Sequence, residues 1–168
     1  MTDPLAANLR PHRLKVALLS PQIAPNTGNI ARACVATGTE MHLVRPLGFV
    51  LSDKNLRRSA MDYWPRLRFT VHDDSNAFFG AARRDAGTIW LFSSTGCRSL
   101  WQTKFTDGDW LVFGSETSGI APTILAEHPA RIVRIPQMPD ERCLNLSAAA
   151  AIALFEALRQ IQSDTMSP

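Results

Sequence analysis

The stretch KVALLSPQIAPNTGNIARACVATGTEMHLV, residues 15 to 44, decides the fold. Its two ends, Lys15 to Leu19 and Glu40 to Val44, are short apolar runs of strand length. Between them, Gly28 to Thr37 reads as a helix, and Gly38 supplies the residue that closes it. The same alternation continues along the chain. Further strands are expected at Leu67 to His72, Thr88 to Phe92, Trp110 to Phe113 and Arg131 to Ile135. Helices are expected at Asp53 to Ser59, opened by an Asp at the cap position, then at Ser75 to Arg84, Pro122 to Glu127 and Ser147 to Gln160. Strands that look buried, alternating with helices, imply an α/β fold: a mostly parallel sheet with helices on both faces.

Composition limits the class of protein. The chain has 168 residues, 45% of them hydrophobic, enough for one domain with a sizeable core. The longest apolar run, Ala148 to Phe155, is far too short to cross a bilayer, and the first fifteen residues hold no apolar block, so a soluble, cytoplasmic protein without membrane association is expected. Cys34, Cys97 and Cys143 are odd in number and lack metal-ligand spacing; His12, His42, His72 and His128 lack it as well. Reduced thiols and no metal are expected. The net charge of +3 is mild, but cations cluster at Arg10 to Lys15, Lys54 to Arg58, Arg66 to Arg68 and Arg83 to Arg84. Such clusters suit nucleic acid, although a solvated face reads the same way.

Parallel sheets bind ligands beyond the carboxyl ends of their strands. NTGN follows the first strand, FSSTG the fourth, GSETSG the fifth and PQMPDERCLN the sixth. No GxGxxG follows the first strand and no GxxxxGK[ST] occurs, which disfavours an ordinary dinucleotide or P-loop site. In NTGNIAR, Asn26 and Asn29 are short amides suited to turns and hydrogen bonds, and Arg32 lies one helical turn beyond Asn29, aiming amide and guanidinium at one spot. The bland alternative is a helix cap followed by a solvated Arg. Gly114 and Gly119 bracket Ser115, Glu116, Thr117 and Ser118 in a loop after an apolar strand, a tight path that also suits an ordinary strand-to-helix turn. Asn145 and Ser147 form a polar turn before the last helix, and capping alone accounts for them equally well. Lys54, Arg57 and Arg58 with Tyr63 and Trp64 combine cations for phosphate with aromatic faces for unpaired bases, though a surface helix followed by core aromatics has the same pattern.

Taken in order, PNTGNIARACVATG, DKNLRRSAMDYW, LVFGSETSGI and RIPQMPDERCLNLSAAAAIALFEALRQ resemble the SPOUT class of RNA 2′-O-ribose methyltransferases, within it the minimal tRNA (cytidine/uridine-2′-O)-methyltransferases of the TrmL type. The resemblance spans roughly residues 14 to 162. It implies a Rossmann-like sheet whose C-terminal third forms a trefoil knot, S-adenosylmethionine as cofactor, tRNA as partner and a homodimer. One domain at 14–162 follows, flanked by a flexible N-terminal extension at 1–13 and a tail at 163–168. The resemblance assigns catalysis to Arg32, Asn29, Asn145 and Ser147, and cofactor binding to Phe92, Gly114, Glu116, Gly119, Ile135, Gln137, Cys143 and Leu144. RNA contacts fall to Lys54, Arg57, Arg58 and Tyr63, and methylation to the wobble nucleotide. The chain departs from the family pattern at Ser115, where Pro is usual, at Ser118 for Arg, at Cys143 for Ser and at Ala148 for Asn. The first two departures are expected to loosen the loop and to remove a positive charge. Two other readings stand beside this one: the same chemistry on ribosomal RNA or another tRNA position, and a knotted RNA-binding protein that has lost productive chemistry.

Overall fold

The computed structural model describes residues 9–51 and 61–163, the side chains of residues 61 and 62 excepted. Among these residues, seven strands form one sheet: β1 (Lys15–Leu19), β2 (Glu40–Val44), β3 (Phe69–His72), β4 (Ile89–Phe92), β5 (Arg98–Ser99), β6 (Trp110–Phe113) and β7 (Ile132–Arg134). Their order is β3-β2-β1-β6-β4-β7-β5 and every pairing is parallel. Four α-helices cover it: α1 (Ala24–Thr37), α2 (Ser75–Ala82), α3 (Pro122–Glu127) and α4 (Leu146–Ser163).

Alternation along the strands divides the apolar residues between two faces. On β1, Val16 and Leu18 join Ile30, Ala31 and Cys34 of α1 and Ala150, Ala153, Leu154 and Ala157 of α4 in one core. Ala17 and Leu19 point the other way, into a second core with Phe78 and Phe79 of α2, Trp110, Val112 and Ile120. Strands buried on both faces explain why β1, β2 and β6 are mostly apolar, with Lys15 and Glu40 at strand starts and His42 as the polar residue inside β2. Each fully buried Leu contributes roughly 1.5–3 kcal/mol by leaving water. α1 and α4 pack on each other over the first face. Of Ala148 to Ala151 only Ala150 is buried, whereas Ile152 and Phe155, 42% and 55% exposed, lie on the outside of α4.

The elements differ from the sequence expectation at particular points. α1 begins at Ala24 rather than Gly28 because Pro25 is tolerated in the first turn, where its missing N–H would have had no helical partner. Asn26, Gly28 and Asn29 are therefore helical residues, not a turn. Gly38 closes α1 at φ 74° as expected. β3 begins at Phe69 because Met61–Arg66 forms a 3₁₀ turn whose end is tied by the Leu67 amide donating to the Trp64 carbonyl at 3.2 Å. The helix expected at Asp53 to Ser59 lies outside the described residues. The two-residue edge strand β5 had no apolar run to announce it.

Asp109 is a buried carboxylate that sequence patterning does not distinguish from a loop acid. It accepts hydrogen bonds from the Thr88 amide (2.9 Å), the Trp90 indole (2.8 Å) and the amide and hydroxyl of Thr106 (3.0 and 2.9 Å). Those contacts lock the starts of β4 and β6 together. At the chain's N-terminal end, the Arg13 amide and guanidinium bind Asp107 at 2.6 and 3.0 Å and the His12 ring meets the Thr37 carbonyl at 2.8 Å. These residues of the extension are tied to the domain.

Candidate active site

The carboxyl ends of β4, β6 and β7 open onto a cavity of about 660 Å³. Its apolar walls include Phe92, Phe113, Ile120, Val133, Ile135 and Leu144, with the rings of Phe92 and Phe113 stacked at 4.7 Å. All eight residues assigned to the cofactor line it: Phe92, Gly114, Glu116, Gly119, Ile135, Gln137, Cys143 and Leu144. Asn145 lines it too. Asn29, Arg32 and Ser147 do not, and Lys54, Arg57 and Arg58 lie outside the described residues.

The loop after β6 folds back on itself. The Ser115 amide donates to the Gly119 carbonyl at 3.2 Å and the Gly119 amide to the Ser115 carbonyl at 2.9 Å. A Cβ on Gly114 would stand 2.0 Å from the Gly119 carbonyl carbon, so this glycine is required by the chain crossing it. Gly119 sits at φ 65°, a left-handed conformation that glycine adopts without strain. Ser115 and Ser118 stand where the family has Pro and Arg, and here their hydroxyls are 2.7 Å apart while the Ser118 amide donates to the Ser115 hydroxyl at 3.1 Å. Contrary to the sequence expectation, the two serines fasten the loop.

Glu116 ties that loop to α1. Its carboxylate accepts from the Gln22 amide (2.8 Å), the Ile23 amide (3.2 Å) and the Asn26 side-chain amide (3.1 Å). α1 has no side-chain cap of its own, so Glu116 supplies one from a distant part of the chain, and its negative charge faces the positive end of the helix dipole. The relay continues through Asn26, whose Oδ1 accepts from the Asn145 amide at 3.0 Å. Asn145 Oδ1 in turn accepts from the amide and hydroxyl of Ser147 at 2.9 and 2.7 Å, capping α4. One hydrogen-bonded chain thus joins β6, α1 and α4 at the cavity mouth. The first Asn of NTGN was the sequence signal for Asn26, but its partner at position 116 could not be inferred from spacing.

The cavity's far rim is the segment between β7 and α4. Gln137 turns its side-chain amide onto the Arg142 carbonyl at 2.8 Å, closing the bend that Asp140 makes at φ 65°. Opposite it, the turn after β4 is held by the Ser93 amide on the Val133 carbonyl (3.0 Å) and by paired hydroxyls of Ser93 and Thr95 (2.9 Å). A Cβ on Gly96 would come within 2.8 Å of the β7 backbone, which fixes glycine there. Ser93, Ser94 and Thr95 line the cavity and were not assigned to it from sequence.

Arg32 and Asn29 occupy the exposed side of α1. The Arg32 guanidinium carbon lies 5.2 Å from the centre of the Tyr63 ring and that of Arg66 lies 5.0 Å from the same ring. Among the described residues no cluster of three or more His, Cys, Asp or Glu is arranged to hold a metal ion, and no helix is long and apolar enough to cross a membrane.

A parallel sheet with such a cavity beyond its strand ends defines a small-ligand site in an α/β domain. The profile of the SpoU rRNA Methylase family matches residues 13–155, and the chain belongs to that family. The tRNA (cytidine(34)-2′-O)-methyltransferase of Burkholderia cenocepacia is 43% identical over 146 residues, 86% of this chain and 94% of that one. A solved structure concerned with the 2-OH methylation of C/U34 on tRNA is 40% identical, with a TM-score of 0.87, across 92% of this chain and 99% of the other. An AdoMet-bound rRNA methyltransferase from Sinorhizobium meliloti is 26% identical with a TM-score of 0.77, across 90% of this chain and 57% of the other.

Proposed function

We propose that this protein is a tRNA methyltransferase that transfers a methyl group from S-adenosylmethionine to the 2′-hydroxyl of the wobble cytidine or uridine. The observation that carries the reading is the cavity: three family motifs, separated by up to 119 residues, meet there and are joined by the Glu116–Asn26–Asn145 relay.

The cavity suits the cofactor. Its volume of about 660 Å³ falls in the range of small-ligand sites. Phe92, Ile135 and Leu144 offer apolar surface for a purine, and the backbone of the 114–119 loop and the 137–143 rim offers polar groups around it. When bound, S-adenosylmethionine supplies an activated methyl group on sulfur. Cys143, in the place of the family's Ser, is compatible with this where the backbone makes the contact.

The chain's own residues bring the ribose to that methyl group. Asn145 and Ser147 lie at the start of α4 beside the cavity mouth, suited to hold the ribose hydroxyls. Arg32 is suited to the phosphate next to the target ribose and to the charge that develops on the attacking oxygen. It does not act as a base, since a guanidinium scarcely loses its proton at neutral pH; phosphate or water takes the proton. Asn29, one turn before it, directs the same backbone.

Arg32 and Asn29 do not line the cavity of their own subunit, and the exposed apolar strip of Ile152 and Phe155 on α4 is of the kind buried in oligomers. Both features favour a homodimer in which one subunit's α1 serves its partner's cavity. Lys54, Arg57 and Arg58 would then extend the RNA surface. The catalytic domain runs from 14 to 162, its C-terminal part threaded as a trefoil knot, a path compatible with β6 lying between β1 and β4 and β7 between β4 and β5. A cytoplasmic location suits a tRNA substrate.

Incubation with methyl-labelled S-adenosylmethionine and either total tRNA or ribosomal RNA, followed by nucleoside mapping, tests the reading. Label in 2′-O-methylcytidine or 2′-O-methyluridine at the wobble position is expected. Label in ribosomal RNA alone would reassign the substrate, and none in either would leave a binding protein.

A further inference from the structure

We propose that Tyr63 is a positioning residue for Arg32, its ring face holding the guanidinium in place for the reacting ribose, rather than a platform for an RNA base. The inference rests on the role given to Arg32 above. An arginine on the exposed side of a helix has a long flexible stem and many rotamers of similar energy, so a catalytic role requires something to restrict it. The relay that orders the cavity mouth runs through Asn26, Glu116 and Asn145 and does not reach Arg32. Among the described residues, a neighbour that does reach it is Tyr63, at 5.2 Å from ring centre to guanidinium carbon. This falls within the separation at which a cation is attracted to the negative face of an aromatic ring.

Tyr63 is itself well placed to be a fixed point. It sits in the 3₁₀ turn Met61–Arg66, which packs on α1, and its neighbour Trp64 packs against Phe69 of β3 with ring centres 5.0 Å apart. Arg66 brings a second guanidinium to within 5.0 Å of the same ring. With two guanidinium groups against the one ring, an RNA base would have to displace one of them to stack there. A phosphate arriving there meets a guanidinium whose direction is already set, so less rotamer entropy is lost on forming a bidentate contact.

The test replaces residue 63 with Phe and then with phenylalanines carrying one, two and three ring fluorines, which keep the shape and progressively weaken the ring's negative face. Single-turnover methylation of a tRNA substrate is followed, with S-adenosylmethionine affinity and Tm as controls for folding. The Phe variant is expected to keep most of the rate, and the fluorinated series to lose it stepwise, reaching roughly five- to thirtyfold. In an Arg32→Ala background the same series should have no effect. A flat series in the Arg32 protein, or an equal loss of tRNA affinity in both backgrounds, would overturn the inference while leaving the site intact. A folded Arg32→Ala protein with full activity would overturn the role of Arg32 and this inference with it.

Discussion

Changing Glu116 to Gln isolates the link between the β6 loop and α1. The substitution keeps the shape of the side chain but replaces one acceptor oxygen with an NH₂ group. In the native protein both oxygens are used: one accepts from the Gln22 amide, the other from the Ile23 amide and the Asn26 side chain. Whichever way the new amide turns, a donor faces a donor. One charge-assisted hydrogen bond is lost, at about 1.5–3 kcal/mol, together with the interaction of a negative charge with the helix terminus, at roughly 0.3–1 kcal/mol. Glu116 is partly exposed, so solvent repays some of this, and a net loss of about 2 kcal/mol is expected. For a domain of this size that corresponds to a fall in Tm of roughly 4–8 °C. Thermal unfolding by circular dichroism measures it, and calorimetric titration with S-adenosylmethionine measures the consequence for the cavity. A second substitution, Asn26→Ala, should cost less in the Glu116→Gln protein than in the native one, because the two residues share a bond. An unchanged Tm, or full additivity of the pair, would refute the capping role of Glu116.

Other consequences are equally direct. Arg32→Ala should fold normally and lose at least about a hundredfold in turnover, as removal of single electrostatic stabilisers does; near-native turnover would remove Arg32 from the reaction. Gly114→Ala forces a methyl group into the Gly119 backbone, so the loop must reopen, and a loss of both thermal stability and cofactor affinity is expected by the same two assays. Acid should weaken the fold through His42. Burial, aided by His72 and Lys15, lowers its pKa to about 4, against the pull of Asp85. The folded protein therefore keeps this ring neutral where the unfolded chain, near pKa 6.5, protonates it. Stability present above pH 6.5 should be lost as pH falls toward 4, a loss that the Glu40 carboxylate 3.2 Å from His42 Nε2 moderates; denaturant titrations of His42→Phe should show a shallower decline over that window. Sedimentation at micromolar concentration should show a dimer, and a monomer alone would exclude an active site shared between chains.

Much of the architecture could be read directly because burial leaves a local trace. β1, β2 and β6 were found to the residue, since strands covered on both faces are predominantly apolar, and α3 was bounded by its Pro and its short amphipathic run. That the turns after β4, β6 and β7 meet at one edge was legible as well, since parallel strands deliver their polar turns there, whereas the individual lining residues came from the family resemblance, and Ser93, Ser94 and Thr95 were not among them. Tertiary structure alone decided which strands lie side by side. Nothing local in Trp110–Phe113 says that it pairs with β1 and β4, or in Ile132–Arg134 that it lies between β4 and β5. Strand order is chosen by which long-range arrangement buries both faces of each strand, a property of the whole chain. The same holds for Glu116 capping a helix ninety residues away, for Asp109 binding β4 to β6, and for Tyr63 holding Arg32. Side-chain chemistry shows that a carboxylate or an aromatic ring can accept a donor or a cation, but only the folded chain selects the partner that reaches it.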